Sequence, residues 1–289
     1  MDIWSFIIPF LRVLLYLSSL GAVGTILFIH HFGKNQSPTG VRYCQSLIKK
    51  SAILGVVASL SIFLSVAGNM GGDLMSALDI AMLQLALDSK AGLASLITLL
   101  GFLIVIITSK SSSQSGLVGS LFGLALVLSS FVMVGHSTRE GLVTQSLLLI
   151  HLAGIAYWLG SLMPFRWMCL SNGNENLFFI AHRFGVLATR YIGALVISGL
   201  VFAYNLLGSF SDLINTTYGN VLLVKLVTVS ALLSLGALNK FRFVPLLIEN
   251  PVVGAKRLQS SVNFEMGLAL CILFFSALLT TSLTLPMST

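Results

Sequence analysis

The chain has 289 residues, of which 56% are hydrophobic and 9% charged, against about 25% charged in an ordinary soluble protein. Mean hydropathy is +0.97. A water-soluble fold cannot hide that much apolar surface, so a soluble enzyme, a secreted disulfide scaffold and a disordered chain are excluded. Long uninterrupted apolar runs disfavour a β-barrel, which needs short alternating segments. The net charge of +7 does not point to nucleic acid, because the basic residues sit in short segments between apolar runs, where membrane orientation explains them.

Crossing the hydrocarbon core takes about 20 apolar residues per helix. Eight runs qualify: 4–29, 51–69, 91–109, 116–135, 142–165, 184–207, 220–239 and 261–284. Each must be a helix, because lipid offers no partner to a backbone N–H or C=O. The expected fold is therefore an all-α polytopic membrane protein of eight spans. It divides into an N-terminal four-helix half, 1–135, and a C-terminal four-helix half, 136–289. The first run carries Asp2 and no Lys or Arg ahead of it, so it reads as a span rather than a cleaved signal peptide. Gly21 and Gly24, and Gly116, Gly119 and Gly123, form small faces suited to close helix approach.

One segment does not span. Residues 71–90 are too short and too charged, yet Leu74, Leu78, Met82 and Leu85 recur at helical spacing. This predicts an amphipathic helix on the outer surface, connecting two spans. Orientation follows from Lys and Arg. One side holds Lys34, Arg42, Lys49, Lys50, Lys110, Arg166, Arg183, Lys240, Arg242, Lys256 and Arg257; the other holds only Lys90 and Arg139. Eleven against two places the first side in the cytoplasm and both termini in the periplasm.

Ionisable residues within spans are costly and mark sites of function. Arg12, His151, Arg190, Lys225 and Glu265 qualify. By depth along their spans, Arg190 and Glu265 can pair and fix two helices. Lys225 and Arg12 lie near span ends and can snorkel. His136 stands at the outer end of the fourth span and His151 well inside the fifth, with Gly154 and Trp158 on the same helix face. Neutral imidazole binds copper, zinc and iron. A bis-histidine haem needs two imidazoles at one depth. His136 and His151 are offset by about nine residues, roughly 14 Å at the helical rise, and His182 lies at the other face, so haem is the weaker fit. His30 and His31, at the cytoplasmic end of the first span, are expected to be solvated. The nine methionines form no MxM or MxxM cluster. The three cysteines are isolated, with no CxxC. Glu265 has no second buried carboxylate, and neither HExxH nor GxSxG occurs, so no catalysis is expected.

Several strings in the second half carry a family resemblance. They are Gly135-His136-Ser137, His151 followed by Ala156-Tyr157-Trp158-Leu159-Gly160-Ser161-Leu162, and Arg183-Phe184-Gly185. Ser198-Gly199-Leu200, Tyr218-Gly219, Leu222-Leu223 with Lys225, and Gly236-Ala237-Leu238-Asn239-Lys240 follow. Ser260-Ser261-Val262 with Glu265, and Pro286, complete the set. In this order the segment from about 130 to 287 resembles the copper resistance protein D family (CopD/PcoD), inner-membrane proteins of bacterial copper homeostasis. Spans one to four match it only in number and hydropathy. The family more often has Ser where Gly185 stands.

The resemblance implies a bacterial inner-membrane protein that moves or handles copper ions between periplasm and cytoplasm. It makes His136 and His151 candidate copper ligands, as successive stations on an inward path. Trp158, Lys225, Asn239 and Glu265 become family-motif positions without an assigned role. It also implies a separate periplasmic partner of the CopC type, beside membrane lipid. The alternatives are a b-type haem electron carrier and a transporter of another solute.

Overall fold

The computed structural model describes residues 3–109, 114–134, 141–171, 176–207 and 210–281. Among these, helices are the only regular structure. In chain order they are α1 (Trp4–Phe32), α2 (Pro38–Gly71), α3 (Ile80–Asp88), α4 (Lys90–Thr108), α5 (Gln114–Val132) and α6 (Gly141–Gly160). Then follow α7 (Leu162–Leu170), α8 (Leu177–Leu207), α9 (Phe210–Asn215), α10 (Thr217–Leu238), α11 (Val244–Glu249) and α12 (Pro251–Thr281).

Eight helical segments are long and apolar enough to cross a membrane: Trp4–Asn35, Pro38–Gly71, Lys90–Thr108, Ser115–Val132, Gly141–Leu170, Leu177–Val201, Thr217–Glu249 and Pro251–Thr281. Each contains or overlaps one of the eight apolar runs. The all-α polytopic architecture is the one expected. Several helices overrun their apolar cores. Thus Lys240, Arg242, Lys256 and Arg257 stand on helix rather than in a loop, and only Asn250 separates α11 from α12.

Local chemistry sets the helix boundaries. Ser37 caps α2 by accepting from Gly40 N at 3.2 Å, with Pro38 in the first turn where its missing N–H costs nothing. Serine and threonine hydroxyls inside the spans turn back on carbonyls three or four residues earlier. Ser59 bonds Gly55 O at 2.7 Å and Ser65 bonds Ile62 O at 2.7 Å. In lipid this gives those hydroxyl protons an acceptor within their own helix.

α1 runs through the middle, against α2, α6 and α12. Its approach to α6 needs glycine on both sides. A methyl added at Gly24 would overlap the Ala156 carbonyl and Gly160, and one at Gly160 would overlap the Leu20 carbonyl and Gly24. Gly101 and Gly123 meet in the same way between α4 and α5. Beside them Thr98 Oγ1 donates to Ser130 Oγ at 2.6 Å. Small faces thus serve packing, as the sequence implied.

The 71–90 segment departs from expectation. It is not one helix: a 3₁₀ turn, Met75–Leu78, ends at Asp79, whose extended backbone breaks the run. The Asp79 carboxylate then caps α3, accepting from Ala81 N at 2.9 Å and Met82 N at 3.1 Å. Leu74, Leu78 and Leu85 are exposed, and only Met82 of the expected stripe packs inward, with Leu83 and Ala86 against Phe63 and Ala67 of α2. A capping carboxylate with two backbone donors outweighs the continuation of a short amphipathic turn.

The C-terminal half is looser. The seventh span continues from α10 through a π-helical turn, Asn239–Phe243, into α11. α10 packs chiefly on α12, while α8 packs on α6 and meets the seventh span mainly at the π turn and α11. The wedge left between α8 and α10 is where the polar residues gather.

Candidate functional site

Two polar clusters occupy the C-terminal half, and α6 contributes to both. Seven residues, about two turns or 10 Å of helix, separate His151 from Trp158 on one face of α6.

The first cluster surrounds His151. Its Nδ1 lies 3.1 Å from Leu195 O and 3.4 Å from Ser198 Oγ, both on α8. Ser198 Oγ itself donates to Leu195 O at 3.1 Å. A carbonyl can only accept, so Nδ1 carries the proton and Nε2 keeps its lone pair. This carbonyl-oriented imidazole is the arrangement found behind metal-ligating histidines. Gly199 lets the ring lie against α8: a Cβ there would stand 3.0 Å from His151 Cε1. Lys225 of α10 is half-buried and within electrostatic reach of the imidazole. His136 lies outside the described residues. Among those described, no three His, Cys, Asp or Glu side chains gather as a metal site.

The second cluster centres on Glu265 of α12, which is 1% exposed. Trp158 Nε1 donates to Glu265 Oε2 at 3.2 Å, and Asn239 Nδ2 donates to Oε1. Asn239 opens the π turn, an irregularity that re-aims side chains and is frequent at functional sites. Gly236, one turn earlier, makes room for the indole: a Cβ there would lie 3.0 Å from Trp158 Cζ2. Asn239 Oδ1 is buried without a partner among the described residues.

These groups face a cavity of about 250 Å³ in the α8–α10 wedge. Phe184, Ala188 and Thr189 of α8, Leu233 and Gly236 of α10, and Val262 of α12 form much of its wall. At its rim Lys240 Nζ donates to the exposed Thr189 Oγ1 at 2.6 Å. Gly185 also lines it, with room for a side chain: an added Cβ would meet Lys240 Cγ at an ordinary 3.5 Å.

The sequence expectations fare unevenly. The Arg190–Glu265 pair does not form. Both Glu265 oxygens are taken by neutral donors, and Arg190 is exposed on α8. A buried carboxylate can be satisfied by an indole and an amide, so it does not require the guanidinium. His30 is exposed as expected. His31 is not: it is half-buried, its ring 5.8 Å from Tyr157 and edge-on to it. Tyr157 is fully buried, stacked on Phe184 at 5.0 Å and on Tyr191 at 4.3 Å. Arg166, expected only as a loop charge, bonds Asn263 of α12 at 2.9 Å. Ser198, Gly199 and Gly236 were visible in the sequence as small residues but carried no sign of which ring they would face.

The fold and these clusters define a multi-pass helical membrane protein with polar groups at two depths between its last four spans. Family comparison narrows this. Residues 180–279 match the copper resistance protein D model, and residues 1–146 match the copper resistance protein D-like N-terminal domain. The chain belongs to the copper resistance protein D family. The match includes the first four spans, which the short strings of the second half did not reach. No curated protein and no solved structure matches the chain.

Proposed function

We propose that this protein conducts copper ions across the bacterial inner membrane, with His136 at the outer mouth and His151 as the deeper ligand. Family membership supplies the copper. The observation that carries the site is the His151 ring, whose Nδ1 is committed to Leu195 O and whose Nε2 is left as a ligand. One imidazole beside a Lys225 ammonium makes a weak copper site, because the positive charge opposes an arriving cation. Weakness suits conduction, which requires a site that binds yet releases. Copper is cargo here, and no catalytic step is assigned.

The positive-inside count supports both termini in the periplasm. His136 would then receive copper from that side, from a separate CopC-like chain. The test is copper content and affinity of the purified protein, wild type beside His151→Ala. Stoichiometric copper lost on substitution supports the path. No copper in either folded protein, with cellular copper unchanged in a His136→Ala/His151→Ala strain, returns the histidines to packing and points to another solute. A Soret band in the purified protein would instead make it a haem carrier.

A further inference from the structure

The Glu265 cluster shares no residue with the proposed copper path, and its chemistry differs. A carboxylate 1% exposed has no cation bonded to it among the described residues. Both of its partners are neutral. Next to it Asn239 Oδ1, a second acceptor, is buried without a donor. Turning the carboxamide over sets Oδ1 against Glu265 instead, and the carboxyl must then carry a hydrogen to donate. Either way the cluster is short of one positive charge or one hydrogen.

The donor set decides which cation fits. A hard metal ion such as calcium needs about six to eight oxygens. Here the lining side chains offer only the Glu265 carboxylate, the Asn239 carboxamide oxygen and the Thr189 hydroxyl, which already accepts from Lys240, and these fall short of that number. Copper(I) seeks sulfur or imidazole, and no Cys, Met or His lines the cavity. A proton needs a single oxygen. We infer that Glu265 is a proton-binding site, loaded and unloaded through the cavity between α8 and the seventh span, apart from the copper ligands.

The step is –COO⁻ plus H⁺ giving –COOH, the proton coming from water at the Lys240–Thr189 rim and leaving by the same route. Trp158 on α6 and Asn239 on the π turn remain donors to the charged form. Of the charged groups on the surrounding elements, Lys240 on the π turn lines the same cavity, and Arg166 on α7 is engaged by Asn263 of α12. Arg183 of α8 lies over Phe179 at 6.0 Å.

The indole bonded to the carboxyl is a built-in reporter. The chain has three tryptophans, so Trp4→Phe/Trp167→Phe leaves Trp158 alone. In nanodiscs, in chelator-treated copper-free buffer, its emission is expected to follow a one-proton titration. The step should vanish in Glu265→Gln and persist in His151→Ala, which separates this site from the copper path. An emission that stays flat with pH, a step surviving Glu265→Gln, or a step displaced when choline is exchanged for sodium would overturn the assignment. If the double tryptophan variant does not fold, infrared difference spectra of the parent protein serve. A protonated-carboxyl band should appear at low pH and be missing from Glu265→Gln; no such band overturns it.

Discussion

Trp158 and Glu265, 107 residues apart in the chain, meet in the buried interior with the indole N–H on the carboxylate at 3.2 Å. This bond ties α6 to α12, and the Asn239 amide adds the seventh span to the same carboxyl. A hydrogen bond to a charged, buried acceptor is worth about 1.5–3 kcal/mol. Trp158→Phe should therefore lower stability by that order, read from denaturant unfolding in detergent. In a Glu265→Gln background the same change should cost markedly less. Equal costs in both backgrounds would mean that the bond contributes nothing.

Gly199 offers a cleaner probe of the imidazole than removing it. Gly199→Ala places a methyl 3.0 Å from His151 Cε1 and pushes the ring from Leu195 O, with every candidate ligand still present. Copper affinity should fall several-fold while the melting temperature moves little. An unchanged affinity would show that ring orientation does not matter to binding.

The Gly24–Gly160 contact predicts a structural failure. Gly160→Leu forces α1 from α6 at the centre of the bundle, where overpacking costs about 1–3 kcal/mol and often more. Reduced folded yield and a lower melting temperature are expected. By contrast Gly185→Ser, which places the commoner family residue there, meets Lys240 only at ordinary van der Waals distance and should leave the melting temperature unchanged.

Asp79 predicts a local effect. Asp79→Ala removes the two backbone bonds that start α3 and should cost about 1 kcal/mol. Hydrogen exchange should speed up in 80–88 and stay unaltered in the spans. Acceleration throughout would contradict a purely local cap.

The spans were legible because run length alone encodes them: lipid demands about twenty apolar residues and a helix. The family was legible in short ordered strings, and those strings converge in space. Ser198 and Gly199 flank His151, Gly236 flanks Trp158, and Asn239 reaches Glu265. The pairing itself was not legible. Counting depth made Arg190 the partner of Glu265, because depth says nothing of rotation about a helix axis. Arg190 faces outward, and two neutral side chains do its expected work. Residues 71–90 fail for another reason. Their helical period is real, but Asp79 competes for backbone N–H groups and halts the run. His31 shows a third limit: a histidine at a span end reads as solvated until a distant Tyr157 comes to rest against it.

The π turn at Asn239–Phe243 acts as a phase adjuster between two faces that an unbroken α-helix would set out of step. At its start, the seventh span must aim Asn239 at Glu265; past its end, it must aim Val244 and Leu247 into the core formed with Phe165, Ile180 and Leu258. The wider turn takes up one residue more than the α ladder. Rewinding those residues into α-helix, with none removed, would rotate the two faces by about 100° relative to each other. One of them must then let go. The span would keep its length and hydropathy, yet lose either its hold on the carboxyl or its seat in the core.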